Sequence, residues 1–209
     1  MEWIDFLIHA EVYVREIFAH YGAWVYLLLF SIIFAETGFV IMPFLPGDSL
    51  LFALGIMSAE GLLNIQILFW TLLIAAVGGD TINYWFGYWI GPKAFGAEQA
   101  RWLRKEYLAR AQEFYLQHGG KAIILARFVP IVRTFAPFVA GIGTMNYRRF
   151  IFFNISGGIL WIGTFLGAGY YLGNLPGVKS NLTAIIGLIV FVSILPVIAE
   201  WWKMRRQKR

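Results

Sequence analysis

The sequence predicts an all-α integral membrane protein: two inverted repeats, each an amphipathic helix, a broken re-entrant hairpin and a transmembrane helix, followed by one C-terminal transmembrane helix. Three observations carry that expectation. First, the 209 residues are 59% hydrophobic and 14% charged, with a mean hydropathy of +0.67, where a soluble domain has about 25% charged residues. Second, charged residues and prolines interrupt two otherwise apolar stretches, Phe34–Gly55 and Ala126–Gly141. Third, short motifs recur in the same order in both halves.

The two interrupted stretches set the site. The first contains Glu36, Pro43, Pro46, Asp48 and Ser49; the second contains Arg127, Pro130, Arg133 and Pro137. A charge at the bilayer centre costs roughly 3 kcal/mol on insertion scales. Four such charges approach the stability of an ordinary domain. Proline removes a backbone donor and clashes with the preceding turn, so a continuous helix is not expected through either stretch. Broken backbone at membrane depth needs cover from protein or a water-filled cavity. Both stretches are therefore expected to meet inside the protein around a polar site.

The remaining elements follow in order. Residues 2–20 alternate apolar and charged positions as an amphipathic interfacial helix. Residues 23–35 are too few to span a bilayer, which takes about 20, and read as one hairpin arm, with 48–57 returning. Residues 63–90 form the first span and contain Asp80 and Asn83, secondary candidates for the site. Residues 92–120 are the long polar segment, with an amphipathic helix at 101–117. The second hairpin covers 122–145, a span covers 150–172, and the last span, 181–202, precedes the basic tail 203–209. The whole chain is one membrane domain, with repeat 1 at about 1–91, repeat 2 at about 101–173, and the added helix and tail at 181–209. The start Met-Glu-Trp-Ile-Asp lacks the basic flank of a secretory signal, so no cleaved signal is expected.

Positive charge in short loops marks the cytoplasmic side. Placing 92–120 and the C-terminal tail there makes the count of spans consistent, with the two hairpins dipping from opposite faces. The recurring motifs agree. Glu16–Gly22 resembles Glu113–Gly119 at an offset of 97, Leu51–Gly55 resembles Pro137–Gly141 at 86, and Gly87–Gly91 resembles Gly169–Gly173 at 82. Inverted repeats whose broken segments meet near the midplane are a transporter plan. The pairs Gly87/Gly91, Gly163/Gly167 and Gly169/Gly173 let helix backbones approach. They are read as packing within the monomer rather than as the seam of a homo-oligomer, whose existence stays open.

The segments Glu36-Thr-Gly, Pro43-Phe-Leu-Pro46-Gly47-Asp48-Ser and Gly119 through Gly141 resemble the DedA family of bacterial inner-membrane proteins, which carry the SNARE-associated, or VTT, domain. The resemblance covers nearly the whole chain. It implies two facing re-entrant loops, and an acid pair and an arginine pair needed for function, here Glu36, Asp48, Arg127 and Arg133. It also implies a bacterial cytoplasmic membrane location and a role in envelope integrity, with some members assigned to undecaprenyl phosphate recycling.

The residues point the same way without naming a lipid. Arginine stays charged and offers a planar fork to phosphate oxygens. Arg127 and Arg133 are thus the expected substrate-binding residues for a lipid phosphate. Burial disfavours an ionised carboxylate and a neighbouring arginine favours it, so Glu36 and Asp48 are expected to couple a proton. Ser49 is a further secondary candidate.

Alternatives are a proton-coupled exporter of small cations or drugs, using Glu36, Asp48 and Asp80, and a non-transporting membrane-integrity factor. The four charges are also open to a purely structural role. No enzyme is expected, because His9, His20 and His118 lie in or beside surface helices, away from the hairpins. Absence of cysteine excludes disulfides and thiolate chemistry. No metal spacing, nucleotide loop or haem motif is present, so no metal or cofactor is expected. The basic tail is read as an anchor on anionic lipid, not a nucleic-acid site.

Overall fold

The computed structural model describes residues 22–38, 47–96, 119–143 and 145–175. These form six helices: α1 Trp24–Gly38, α2 Gly47–Ala59, α3 Ile65–Gly96, α4 Lys121–Ala126, α5 Pro130–Ile142 and α6 Tyr147–Gly173. No strand occurs among the described residues. Among the described residues, two segments are long and apolar enough to cross a membrane, Ile65–Ile90 with 26 residues and Tyr147–Gly173 with 27. The others are short. The expected helices at 2–20 and 101–117, the last span at 181–202, the basic tail, Pro43, Pro46 and all three histidines lie outside the described residues.

Local chemistry fixes the helix ends. Asn64 caps α3, its Oδ1 accepting from the amides of Gln66 at 3.0 Å and Ile67 at 3.1 Å, two donors that would otherwise be orphaned in the first turn. Its own amide donates to the Tyr26 hydroxyl at 2.8 Å. Gly61 ends α2 with φ +76°, a conformation that L side chains rarely adopt. Asn146 accepts from the Arg148 amide at 2.9 Å as α6 begins. That helix therefore starts ahead of Arg148 and Arg149 rather than after them.

The break in the second stretch is narrower than expected. Val129 is extended, with φ −115° and ψ 107°, and Pro130 opens α5. This is the ordinary consequence of a proline for the residue before it and for the first helical position. Pro137 does not break the chain; it sits inside α5. Three residues earlier, the Thr134 carbonyl accepts from the Asn83 side chain at 2.8 Å.

Polarity runs inside out. Leu28, Trp70, Ile74, Trp89, Phe152 and Tyr171 are each at least 60% exposed, whereas Glu36, Asp80, Asn83, Arg127, Thr134 and Asn154 are buried. Large apolar side chains facing outward along helices of spanning length suit contact with lipid chains.

The chain divides into two compact units. Described residues 22–28, 47–69 and 163–175 belong to the first, and 29–38, 70–96, 119–143 and 145–162 to the second. In the first, a Cβ on Gly55 would overlap the Leu166 carbonyl and press the Tyr170 amide, and one on Gly169 would overlap the Phe52 carbonyl. In the second, a Cβ on Gly141 would overlap the Tyr84 carbonyl and press the Tyr88 amide, and one on Gly87 would overlap the Phe138 carbonyl. These are one contact made twice. Shifting 52 and 55 by 86 gives 138 and 141; shifting 84, 87 and 88 by 82 gives 166, 169 and 170. In each unit a short helix packs, backbone to backbone, on a long helix from the other half of the sequence. Among the described residues, a Cβ on Gly163 or Gly167 meets nothing within 4 Å, so no packing contact of this pair is seen there.

This difference predicts opposite responses. Gly55→Ala and Gly141→Ala should each destabilise the protein by about 1–3 kcal/mol through overpacking. Gly163→Ala should be neutral or stabilising by up to about 1 kcal/mol, since alanine loses less entropy in a helix. Thermal unfolding of the detergent-solubilised variants measures both.

Candidate functional site

The second unit holds a cluster of buried charge whose members come from α1, α3, α4, α5 and α6. On α3, Asp80, Asn83, Tyr84 and Gly87 follow three- and four-residue spacing and share one face. Tyr84 fixes that face. Its ring stacks on Phe150 at 4.5 Å, its hydroxyl donates to the Met145 carbonyl, and Ile123 and Ala140 complete the packed group. One turn earlier, Gly79 leaves no room for a side chain between α3 and Thr37–Gly38 of α1. The carboxyl end of α1, with Glu36, is therefore held close to the part of α3 that carries Asp80.

Arg127 stands at the C-cap of α4, where a cation meets the negative end of the helix. Its Nη2 donates to Asp80 Oδ2 and to Asn154 Oδ1. Asn154 in turn donates from Nδ2 to the Val77 carbonyl at 3.2 Å, which fixes the orientation of its amide. Gly157 makes way for the arginine shaft, since a Cβ there would stand 3.0 Å from Arg127 Cδ. Arg127 and Asp80 are both nearly excluded from solvent.

Arg133, in the first turns of α5, donates from Nη2 to Oε1 of Glu36. Glu36 is only 1% exposed, and its second oxygen, Oε2, has no hydrogen-bond partner among the described residues. Asn83 aligns the two. Its Nδ2 donates to the Thr37 carbonyl at 3.3 Å and to the Thr134 carbonyl at 2.8 Å. Each of those residues follows a member of the ion pair in sequence, so one amide sets the register of both helices.

Of the residues singled out in the sequence, the second unit brings together Glu36, Asp80, Asn83, Arg127 and Arg133. Asp48 and Ser49 lie in the first turn of α2, half-buried, in the first unit. Beside Arg127, Asp80 is the carboxylate, although the sequence ranked it only as a secondary candidate. Two participants escaped the sequence reading altogether. Asn154 is the amide on Arg127. Trp161 is a fully buried ring with the guanidinium carbons of Arg133 at 5.1 Å and Arg127 at 6.0 Å from its centroid. The available signals were an amide in mid-span and a tryptophan seven positions later, on the same helix face.

With both acids and both arginines ionised, the formal charges cancel. A buried pair is stable only when its remaining polar atoms are also satisfied. Arg127 Nη2 meets that condition through Asp80 and Asn154, while Arg127 Nε and Glu36 Oε2 have no hydrogen-bond partner among the described residues.

Helices with apolar exteriors enclosing paired acids and arginines fit a membrane protein with a buried ionic site. The VTT domain matches residues 45–171, and the chain belongs to that family, the DedA family. It is 49% identical to Protein DedA of Escherichia coli K12 over 97% of this chain and 94% of that protein. It is 46% identical to an uncharacterized membrane protein of Mycobacterium leprae over 85% of this chain and 80% of that one. Inner membrane protein YqjA of E. coli K12 is 36% identical over 72% of this chain and 69% of its own length. No solved structure matches the chain.

The pairing has a measurable signature. In a double-mutant cycle, Asp80→Asn and Arg127→Gln should couple by at least about 2 kcal/mol, because each alone leaves the other charge buried. Asp80→Asn with Arg133→Gln should couple by less than about 1 kcal/mol, since no direct contact joins those two. Unfolding in detergent gives both values.

Proposed function

We propose that this protein is a proton-coupled transporter, a flippase, for a lipid with a phosphate headgroup in the bacterial cytoplasmic membrane. Undecaprenyl phosphate returning for envelope biogenesis is the substrate that the family resemblance implies. The observation that carries this reading is the buried contact of Arg133 with Glu36, an acid with one oxygen still open. An arriving phosphate competes with Glu36 for Arg133, whose guanidinium suits its oxygens. The displaced carboxylate would then be an uncompensated buried charge, and taking up a proton removes it. Proton and phosphate monoanion therefore enter together at no change in buried charge. Arg127, held by Asp80 and Asn154, serves as the second, static positive charge. Asp48, at a helix N-terminus in the first unit, is the acid that would serve the second proton step.

The twice-made glycine contact supports an architecture of inverted repeats with two re-entrant hairpins. By the positive-inside rule, the C-terminal tail is cytoplasmic. A lipid keeps its tail in the bilayer, so only the headgroup requires a polar path. Small-cation export fits less well, because Glu36 and Asp80 each already have an arginine beside them. On this reading the protein is not an enzyme, uses no cofactor and binds no nucleic acid. Its partners are membrane lipids.

Proteoliposomes test the reading. A fluorescent lipid phosphate should equilibrate between leaflets, with a rate that rises at least about threefold under an imposed pH gradient. Glu36→Gln should abolish that gradient response, a buried acid being the proton carrier. Movement of a cationic dye without lipid phosphate movement would replace this proposal with the exporter. An unaltered gradient response in Glu36→Gln would remove the coupling.

A further inference from the structure

Both guanidinium groups of the site stand against one indole, and that arrangement has no counterpart among the acids. Trp161 lies seven residues after Asn154 on α6, with Gly157 and Gly158 between them. A Cβ on Gly157 would stand 3.3 Å from Arg127 Nε, and one on Gly158 would stand 3.9 Å from Arg127 Cζ. This face of α6 thus offers an amide, a gap and an aromatic surface in succession. Arg127 lies along it, and Arg133 reaches the same ring from α5 at 5.1 Å. Two like charges in a dry interior repel, and both are drawn to the electron-rich face of a single ring. Tryptophan gives the strongest such attraction of the aromatic residues.

The acids and the indole differ in one decisive way. A carboxylate loses its hold on an arginine when it is protonated or when an anion takes its place. An indole neither titrates in the physiological range nor competes for the phosphate. We propose that Trp161 is a positioning residue that holds Arg127 and Arg133 at a fixed separation while Glu36, the acid beside Arg133, changes state. Its role would be greatest for Arg133, whose partner Glu36 has one oxygen without a hydrogen-bond partner among the described residues. The spacing of the two guanidinium groups is then set by α6, and it persists in the step when Glu36 is neutral. This inference deepens the lipid-phosphate reading and rests on it for the identity of the anion, though not for the positioning itself.

Two measurements on the full chain in detergent separate those claims. The first uses arginine labelled with nitrogen-15 and reads the side-chain Nε–Hε signals, which a ring beneath the guanidinium moves upfield. Glu36→Gln imitates the protonated acid. In that background the Arg133 signal should remain sharp and upfield with tryptophan at 161. It should weaken and move downfield in Glu36→Gln/Trp161→Phe, and do so further in Glu36→Gln/Trp161→Leu. With Glu36 intact, the same Trp161 changes should leave the Arg133 signal ordered near neutral pH and disordered only at low pH. A role in packing alone would show no such dependence on the acid. If the leucine variant does not fold, the phenylalanine variant, which keeps a ring, carries the same comparison. An Arg133 signal in Glu36→Gln that is indifferent to the residue at 161 overturns the proposal.

The second measurement titrates dodecyl phosphate. Trp161→Leu should bind it about tenfold more weakly, the scale of one desolvated cation–π contact, and Trp161→Phe by a smaller factor. Equal affinity in all three proteins would contradict the role in anion binding. Failure of the parent protein to bind dodecyl phosphate would remove the lipid-phosphate reading and leave the arginine signals to decide the positioning.

Discussion

Charge that cannot reach water must be neutralised where it stands, and this requirement shapes the second unit. Two arginines and two acids are buried among helices whose outer faces are apolar. Each arginine has its own carboxylate, drawn from a different helix, so the pairs fasten α1 to α5 and α3 to α4. An ion pair of this kind often contributes little net stability over an apolar replacement, yet losing one member is costly. The balance of formal charge is the important feature. Any anion entering such a site must bring a positive charge with it or convert an acid to its neutral form.

The backbone contacts supply rigidity around that exchange. Lipid gives helices no hydrophobic reason to associate, so close approach and dispersion must do so. Gly55 with Gly169, and Gly141 with Gly87, bring pairs of helices together until a single methyl group would not fit. Because each short helix packs on a long helix from the other half of the chain, the halves are interlocked through two equivalent joints. Asn83 adds a polar joint within the second unit by gripping the backbone beside both Glu36 and Arg133. The groups left free to rearrange are then the ends of side chains, chiefly the Glu36 carboxyl.

Much of this was visible in the residues. That Glu36 and Arg133 would meet in one polar site was legible, because charges in apolar, proline-containing stretches have few places to go; which acid would meet which arginine was not. The matching motifs around Gly55 and Gly141, and around Gly87 and Gly169, were legible, and these glycines occupy equivalent contacts. Arg127 was harder. Its carboxylate, Asp80, lies in an unbroken span rather than in the facing stretch, and sequence carries no signal for which helix lies alongside α4. Asn154 and Trp161 were lost among the apolar residues of α6, where an amide resembles a packing residue and a tryptophan resembles a membrane-interface anchor. Pro137 misled in the other direction: a proline reads as a break, but α5 runs through it. Gly163 and Gly167 have the spacing of a helix contact, but no such contact is seen among the described residues; spacing alone does not say which side of a helix is covered.

The central claim is that the proton and the phosphate enter as one neutral set. Calorimetric titration of the purified protein with undecaprenyl phosphate, repeated in buffers of different ionisation enthalpy, counts protons taken up on binding. The account predicts an uptake approaching one proton per lipid bound, at a pH where the headgroup is a monoanion, and none in Glu36→Gln. Binding of the lipid phosphate without proton uptake by the parent protein would contradict it.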